Sequence, residues 1–396
     1  MVVRIIEIKS KEQALREFRN VKADEKSFQF MLPKVFGLSM KIREVKARDA
    51  NIIKQEMLSD GGDATLSKES YDLKNERSDI LLMGNLRSYS ETIKKLKLQP
   101  IKELRKIAGD AEGGIRNYFS VPERFEVNGK RFDFSRPLVM GILNVTPDSF
   151  SDGGKFYGEG KAAEGARRMI EEGADIIDVG GESTRPGHKS VSFEEEEKRV
   201  IPVIERLRDE VEKPVSIDTT KLEIAEKALK LGVEVVNDQW GLQMKGRDNK
   251  GFAKLIADHD AALVLMHNRD NNRYGDLMYE LLCFLEQGIR IAENNGVDPR
   301  KIIVDPGVGF GKDAEQNLMV LARVRELKVL GKPILIGPSR KSFIGKTLGL
   351  EVEDRLEGSL AAIAYAMEQG VNVVRMHQVK ESVRVAKLMS ALKEAC

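Results

Sequence analysis

Polar and charged residues recur at the ends of short buried runs in the C-terminal two thirds of the chain. Each run is rich in Val and Ile and ends in a side chain that a simple turn does not need. In parallel sheets the carboxyl ends of the strands meet at one edge, where binding groups collect. We therefore expect the strand-end side chains to share one cleft. They are Asn144, Asp178, Asp218, Asn237, Asp238, His267, Asp305, Arg375 and His377, with Lys341 in the loop after the seventh run.

Four of these residues suit the recognition of a flat heterocycle. Asp218, Asn237 and Asp305 follow three different runs, and Lys341 follows a fourth. Carboxylates accept hydrogen bonds, an amide both donates and accepts, and an ammonium group donates to a ring carbonyl or nitrogen. A single Asp or Asn at a strand end is usually a cap or turn residue. Four convergent groups instead predict a pocket for a guanine-like or pterin-like ring.

A second set has the opposite chemistry. Arg340, Lys341, Arg375 and His377 are cationic or hydrogen-bond donors, and Asn144 adds an amide. Donors of this kind bind phosphate or diphosphate, and a magnesium ion held by Asn144 and phosphate oxygens fits the same set. The four histidines of the chain have no His-x-His or His-Glu-x-x-His spacing, so a metal cage built from protein groups alone is not predicted.

Two phosphate-binding motifs are matched only in part. The run "DPGVGFGK" (305–312) lacks the third glycine of a dinucleotide fingerprint and follows a late strand. The run "SFIGKT" (342–347) has the Gly-Lys-Thr of a phosphate loop, but Arg340 stands where its first glycine belongs. Both runs are interpreted as loops after strands.

Eight apolar runs from Leu138 onward must position these side chains. Continuous hydrophobicity indicates strands covered on both faces, and helical patterns such as "KLEIAEKALKLG" separate the runs. Eight such units fit a closed (β/α)8 TIM barrel of about 250 residues. A doubly wound open sheet is the alternative, but it would concentrate its polar strand ends at one switch point. The eight runs are "LVMGILNV", "ADIIDVGG", "VSIDT", "VVND", "ALVLMH", "KIIVDP", "PILIGPS" and "VNVVRMH".

The residues before the barrel have a different organisation. In "RFEVNGKRFDF" the pair Asn128-Gly129 predicts a β-hairpin, which we expect to cap the bottom of the barrel. Residues 1–120 alternate strand and helix patterns and predict a separate small α/β or α+β domain, with residues 121–396 forming the barrel domain. Its strands are predicted at "VRIIEIK", "LSMKIREVKA" and "SDILLMGNL", and "LSDGGDATLS" is interpreted as a glycine-bearing loop.

Composition limits the partners and the compartment. The 65 Lys and Arg residues nearly balance the 63 Asp and Glu residues, which does not favour a nucleic-acid surface. The two cysteines, Cys283 and Cys396, are too few for a disulfide framework or a thiolate metal site, which fits a reducing compartment. Without a long apolar run or a secretory leader pattern, we expect a cytoplasmic, soluble protein with no membrane partner.

Nine motifs in a fixed order resemble those of the dihydropteroate synthase family of folate biosynthesis. They span roughly residues 124–396, and residues 1–120 fall outside the usual family core. One departure is Gln378, where an acidic residue is expected. The motifs are "LVMGILNVTPDSFSDGG", "DVGGESTRPG", "SIDT", "VND", "LMHN", "DPGVGFGK", "GPSRKSFIG", "DRLEGSLAA" and "VVRMH".

The resemblance implies a role for particular side chains, which we carry over position by position. The pterin pocket would consist of Asp218, Asn237, Asp305 and Lys341, with Met266 under the ring. The diphosphate and Mg²⁺ would be held by Asn144, Arg375 and His377. The p-aminobenzoate position would be lined by Thr184, Pro186 and Ser342. Two loops, "TPDSFSDGG" and "ESTRPG", would close over the site, organised by Asp152 and Arg185.

The implied activity is a group transfer. The enzyme would join 6-hydroxymethyl-7,8-dihydropterin diphosphate to p-aminobenzoate and release diphosphate, as a homodimer and a target of sulfonamides. The implied catalytic residues are Lys341, Asp305, Asp218, Arg375, His377, Asp152 and Arg185, and the only implied cofactor is Mg²⁺.

Two other functions stay open at this point. A pterin-binding methyltransferase on the same barrel would also use Asp218 and Asn237, but it needs no diphosphate site. A non-catalytic pterin-binding module would act through residues 1–120 as an interaction domain. Formation of dihydropteroate that depends on the amine distinguishes the synthase from both.

Overall fold

The computed structural model describes residues 2–71, 76–145, 155–182 and 191–395, without the side chains of residues 155–159. The chain divides into one unit up to Arg116 and a second unit from Asn117 to Ala395.

The first unit is built on an antiparallel sheet. Within the described part of this unit, the strands are β1 (Gly37–Lys46), β2 (Asp63–Leu66) and β3 (Arg77–Asn85), in the order β1-β3-β2. Ile53, Met57 and Tyr89 belong to its own buried core. The unit is therefore α+β. Its helices are α1 (Lys11–Asn20), α2 (Phe28–Val35), α3 (Ala47–Ser59), α4 (Lys68–Tyr71), α5 (Leu86–Leu98) and α6 (Lys102–Phe119).

Two details of the prediction for this unit are wrong. The segment "VRIIEIK" forms no strand although all of it is described, and Ile5 is 99% exposed. Alternation of apolar residues favours a strand but does not supply a partner strand. Conversely, "DATL" in the predicted loop is strand β2. Gly61 adopts a φ of +79°, which glycine tolerates, and the chain then turns back so that Ala64 pairs with Leu82 of β3.

The second unit contains the predicted barrel. Eight parallel strands are present in the described part of the unit: β6 (Leu138–Asn144), β7 (Ile176–Gly180), β8 (Val215–Asp218), β9 (Val235–Asp238), β10 (Ala262–Met266), β11 (Ile302–Asp305), β12 (Leu335–Ile336) and β13 (Val373–Met376). They lie in the order β11-β10-β9-β8-β7-β6-β13-β12, so neighbours in the sheet are also neighbours in sequence, except that the first barrel strand, β6, pairs with the last, β13. The two ends of this order are joined where Val304 bridges Ile334 and the Val304 N–H donates to the Pro333 carbonyl at 2.9 Å. The prediction of a closed (β/α)8 barrel is confirmed.

Helices follow the strands and cover the outside of the barrel. Caps begin several of them: Ser192 accepts from the Glu195 N–H, and Asp313 forms a capping box with Gln316. Apolar faces of these helices pack on outward-facing strand residues in one extended core. The helices are α7 (Lys155–Glu171), α8 (Phe193–Glu210), α9 (Leu222–Lys230), α10 (Asn249–Asp258), α11 (Leu277–Asn294), α12 (Ala314–Ala322), α13 (Ser342–Leu348), α14 (Leu356–Glu368) and α15 (Val379–Ala395).

The predicted hairpin closes the amino-terminal end of the barrel. Strands β4 (Phe125–Val127) and β5 (Lys130–Phe132) flank Asn128 and Gly129, both with positive φ, as a two-residue hairpin turn requires. Phe125 and Phe132 stack with ring centroids 4.6 Å apart. Both rings belong to the buried cluster inside the barrel, with Leu335 and Val373 at the strand bases. The bottom is therefore sealed by apolar packing, and polar side chains are left to the other end.

Candidate functional site

The alternation of side chains along each strand brings the polar residues together. In β9, Val235 belongs to the apolar cluster inside the barrel, and Val236 belongs to the core between the strands and the helices. Side chains alternate along a strand, so Asn237 faces the inside of the barrel again. The same alternation turns Asp218 toward the inside of the barrel at the end of β8, and Asp305 toward the inside at the end of β11. All three are at most 7% exposed. An apolar layer at the base is therefore followed by a polar layer at the carboxyl end.

A guanidinium group links two carboxylates of this layer. The Arg375 Nε donates to Asp178 Oδ2 at 2.6 Å, and its Nη2 donates to Asp218 Oδ2 at 2.7 Å. Two amides complete the arrangement: Asn237 Nδ2 donates to Asp178 Oδ2 at 3.3 Å, and Gln239 Nε2 donates to Asp218 Oδ1 at 2.6 Å. We call these five side chains the Arg375 network. It places two buried carboxyl groups against one guanidinium group.

Burial and neighbouring charges set the protonation of the network. Burial raises the pKa of Asp218 to about 7, although Arg375 and Gln239 lower it and Asp178 raises it further. Burial disfavours the charged form of Arg375, but Asp178 and Asp218 more than offset this and raise its pKa. The guanidinium therefore stays charged, whereas the Asp218 carboxyl titrates near neutral pH.

Asp305 lies at the end of β11 and is held by the loop that follows. The Gly307 N–H donates to Asp305 Oδ1 at 2.7 Å. Burial raises the pKa of Asp305 to about 6, while the Gly307 N–H, Lys341 and Lys312 each lower it. The carboxylate thus depends on a close backbone turn for its orientation.

Gly307→Ala should destabilise the protein by about 2–4 kcal/mol. Gly307 has a φ of +66°, and a Cβ there would lie 1.9 Å from the His267 carbonyl oxygen. Denaturant unfolding would measure the change. Gly349→Ala is the control, because Gly349 has a φ of +69° with no atom within 4 Å of the added Cβ. Equal losses in the two variants would show that the close approach at Gly307 carries no extra cost.

Lys341 reaches the same end of the barrel from the loop after β12. Its Nζ lies 4.1 Å from the centroid of the Phe310 ring, a cation–π geometry, and a Cβ on Gly309 would meet its side chain at 2.8 Å. Met266, at the end of β10, is buried on the other side of the loop, 3.3 Å from the Cβ position of Gly307. The structure thus brings Lys341, Met266 and Asp305 to one loop.

A second lysine, Lys312, forms hydrogen bonds to that loop. Lys312 Nζ donates to the Gly307 carbonyl at 3.1 Å and the Phe310 carbonyl at 3.0 Å, and it lies 2.9 Å from His267 Nδ1. Burial lowers the pKa of Lys312 to about 7 and the pKa of His267 to about 2. His267 is therefore neutral, and its Nδ1 accepts the hydrogen bond from Lys312.

The predicted anion ligands lie at the neighbouring strand ends. His377, after β13, has its Nε2 3.4 Å from Asn144 Nδ2 at the end of β6. Its Nδ1 lies 2.8 Å from Ser339 Oγ, which orients the ring. Arg340 is exposed with a φ of +53°, and the Gln378 amide oxygen accepts from its guanidinium.

Some predicted residues cannot be placed. Asp152, Thr184, Arg185 and Pro186, and most of the two loops that carry them, lie outside the described residues. Ser342 is described: it is exposed at the first position of α13, directly after Lys341.

The sequence analysis placed Asp178 in the cleft without a specific role, did not identify Gln239 or Lys312, and wrongly placed Asp238 in the cleft. The count of alternating positions turns Asp238 outward, where Arg247 binds both of its carboxylate oxygens, at 2.9 and 2.7 Å. Alternation along β7 turns Asp178 toward the inside of the barrel. Gln239 could have been found in the same way, because it lies two residues after the inward-facing Asn237. No signal in the sequence indicates that Lys312 clamps the loop.

Comparisons with known proteins agree with this site. Residues 140–377 match the family described as pterin binding enzyme. The dihydropteroate synthase of Bacillus subtilis is 47% identical over 257 residues, which are 65% of this chain and 89% of that protein.

Solved structures show the same similarity. A dihydropteroate synthase from Clostridium difficile, crystallised with pteroic acid, is 51% identical with a TM-score of 0.63 and covers 66% of this chain and 98% of its own. The Xanthomonas albilineans dihydropteroate synthase with 4-aminobenzoic acid is 41% identical with a TM-score of 0.65 and covers 69% of this chain and 99% of its own. In each case the similarity extends over nearly the whole of the other protein.

Proposed function

From the premise that the chain belongs to the pterin binding enzyme family, we infer that it catalyses the dihydropteroate synthase reaction. It condenses 6-hydroxymethyl-7,8-dihydropterin diphosphate with p-aminobenzoate and releases diphosphate. The observation that carries this inference is the polar layer at the carboxyl end of the barrel. There Asp218, Asn237 and Asp305 face inward beside Lys341, next to the Asn144 and His377 pair.

Ring recognition falls to the buried carboxylates and amides. Asp218 and Asp305 accept from ring N–H and amino groups, Asn237 both donates and accepts, and Lys341 donates to a ring carbonyl or nitrogen. Met266 supplies an apolar surface for the ring. Because these groups are buried, a ligand that lacked the matching donors would leave the remaining acceptor positions of the carboxylates without hydrogen bonds, which gives the site its selectivity.

Cleavage of the bond between the methylene carbon and the diphosphate oxygen transfers the bonding electrons to the leaving group. Arg375 uses Nε and Nη2 for the two aspartates, and its positive charge, together with His377, would stabilise the negative charge on the leaving diphosphate. The positive charge left on the methylene spreads into the pterin ring, where Asp218 and Asp305 favour it. A dissociative route follows from this charge distribution.

The second substrate then attacks the methylene carbon. The p-aminobenzoate nitrogen forms the new C–N bond and loses a proton, and its weak basicity removes the need for a strong general base. Thr184, Pro186 and Ser342 would line its position, and Asp152 and Arg185 would organise the closing loops. The exposed start of α13, where Ser342 follows Lys341, supports a site beside the ring pocket.

A magnesium ion fits the donor set, although the described residues supply no cage of protein ligands. The described residues contain no group of three His, Cys, Asp or Glu side chains suited to hold a metal. Mg²⁺ commonly binds through one or two protein oxygens, substrate phosphates and water, so the Asn144 amide oxygen with diphosphate oxygens is sufficient. When bound, the ion would neutralise charge on the leaving group. We expect chelation to abolish activity and added Mg²⁺ to restore it.

The test of the proposed function is diphosphate release by the purified chain. The dihydropterin diphosphate and Mg²⁺ would be supplied with and without p-aminobenzoate, and dihydropteroate would be followed by chromatography. Product formation that depends on the amine supports the synthase. Tight binding of the pterin without any turnover would reject it.

Acidification should lower kcat/KM for the pterin diphosphate below about pH 7, because Asp218 titrates near 7 and Asp305 near 6 and both act as carboxylates. The free energy of unfolding should instead rise on acidification. Both folded-state pKa values lie above the unfolded value, so the folded chain binds more protons between about pH 4 and 7. This contribution to the free energy of unfolding is therefore largest at low pH and is lost as the pH rises through 6–7. A pH–rate profile of Asp218→Asn should lose one of the two protonations, and an unchanged profile would contradict the assignment.

A homodimer is the proposed assembly. Leu318 and Met319 of α12 and Tyr365 of α14 are each more than 40% exposed, and the Tyr365 hydroxyl donates to the Ala322 carbonyl at the end of α12, so the two helices present one apolar surface. Leu318→Glu with Tyr365→Glu should convert a dimer to a monomer in analytical ultracentrifugation. Leu98→Glu, at an exposed residue of the first unit, is the control. A monomeric wild-type chain would reject this proposal.

The proposed setting is the cytoplasm, with small molecules as the only substrates. The exposed free thiol of Cys283 fits a reducing compartment. Among the helices described, none is long and apolar enough to cross a membrane.

A further inference from the structure

Asp218 is held at both carboxylate oxygens by protein groups. Arg375 donates to Oδ2 at 2.7 Å, and Gln239 Nε2 donates to Oδ1 at 2.6 Å. Gln239 is 7% exposed, so this hydrogen bond is shielded from water. A shielded bond to a charged acceptor is stronger and more directional than one at the surface.

The position of Gln239 in the chain makes it a partner of Asn237. Asn237 lies in β9, and Gln239 is the first residue after this strand. Each amide donates to one of the two aspartates that Arg375 links: Asn237 to Asp178, and Gln239 to Asp218. The Arg375 network is thus closed at both ends by an amide. The guanidinium alone leaves Asp218 Oδ1 free to rotate away from the pocket, and the Gln239 bond removes that freedom.

We propose that Gln239 is a positioning residue of the ring pocket, which fixes the orientation of the Asp218 carboxylate before the pterin binds. The inference rests on the proposed function, since it assumes that Asp218 contacts the ring. It assigns to Gln239 a role in pterin affinity and in the pH dependence of the reaction.

The charged groups around Asp218 determine how much the Gln239 hydrogen bond matters for its ionisation. Arg375 from β13 favours the carboxylate, whereas Asp178 from β7 and Glu196 from α8 disfavour it, and burial disfavours it most. Gln239 is the neutral donor in this set, and it lowers the pKa of Asp218. Its loss would leave a buried carboxylate with one fewer donor, which shifts the carboxyl toward its neutral form.

The experiment compares Gln239→Leu and Gln239→Met with Gln243→Leu. Gln243 is a partly buried amide of the same loop, and it donates to the Phe284 carbonyl at 2.8 Å instead of to a carboxylate. In both Gln239 variants we expect KM for the pterin diphosphate to rise about tenfold. The acid limb of kcat/KM should move up by about one pH unit. KM for p-aminobenzoate should not change, and Gln243→Leu should leave all three quantities near wild type.

A structural role alone would give a different pattern. It would lower activity in the Gln239 and Gln243 variants alike, without moving the acid limb, and that result would overturn the proposal. A second measurement is independent of turnover: the Asp218 carboxyl would be titrated by carbon NMR in the wild type, Gln239→Leu and Gln243→Leu. The titration should move to higher pH in Gln239→Leu only. If the wild type forms no dihydropteroate, the proposed function fails, and the NMR titration still decides whether Gln239 controls Asp218.

Discussion

Arg375→Ala is expected to lower kcat/KM for the pterin diphosphate by about 10³-fold. It should also destabilise the fold by about 3–5 kcal/mol, because it leaves Asp178 and Asp218 buried without their cation. Asp178 is fully buried, and the guanidinium is the group that neutralises both carboxylates. Under the proposed function, the substitution also removes a positive charge that stabilises the leaving diphosphate. Steady-state kinetics and denaturant unfolding on the same preparation would measure the two losses.

A matched variant separates the two effects. Arg247→Ala breaks another buried pair, in which Arg247 binds Asp238 at 2.7 Å on the outside of the barrel. We expect a comparable loss of stability but a kcat within about threefold of wild type, since no substrate group is contacted. Arg375→Lys should recover part of the stability and little of the rate, because an ammonium cannot form the same forked bonds. Equal kinetic losses in Arg375→Ala and Arg247→Ala would show that Arg375 matters only for folding.

Lys341→Ala is expected to reduce dihydropteroate formation by about 10²–10³-fold, with little loss of stability. The ammonium group lies over the Phe310 ring at 4.1 Å and is close enough to Asp305 to lower the pKa of that carboxyl. Under the proposed function, this group donates to the pterin ring next to Asp305. Removing it takes away a charged hydrogen-bond donor in a shielded pocket, and the pKa of Asp305 should rise at the same time.

The control for this variant lies on the next helix turn. Lys346 is exposed on α13, the helix that begins directly after Lys341, so Lys346→Ala removes a similar charge away from the pocket. Its activity should match wild type. Diphosphate release that persists in Lys341→Ala at more than about a third of the wild-type rate would exclude a direct role in the reaction.

The sequence by itself determined the barrel and most of the pocket. Eight Val- and Ile-rich runs, each bounded by helical patterns, are enough to fix the strands, because continuous apolar runs require cover on both faces. Strands β6, β8, β9 and β11 end at polar residues that the sequence predicted, and in a parallel barrel all carboxyl ends lie at one end, so the convergence of Asp218, Asn237 and Asp305 follows from topology. The Asn128-Gly129 hairpin followed equally directly from turn chemistry.

Other features depended on partners far away in the chain. The segment "VRIIEIK" has the apolar alternation of a strand but pairs with no strand in the described part of the chain, whereas "DATL" forms a strand because β3 lies beside it. Whether Asp238 or Asn237 enters the pocket is decided by a single step of alternation.

The Arg375 network was the least predictable part of the site. Arg375 lies 197 residues from Asp178 and 157 from Asp218, and no local pattern encodes a bond over such distances. Only closure of the barrel brings β13 beside β6, with β7 and β8 next in the sheet. The sequence therefore specifies which chemical groups reach the end of the barrel. The tertiary structure decides which of them pair, because pairing depends on strand order and register, and burial then sets their charge.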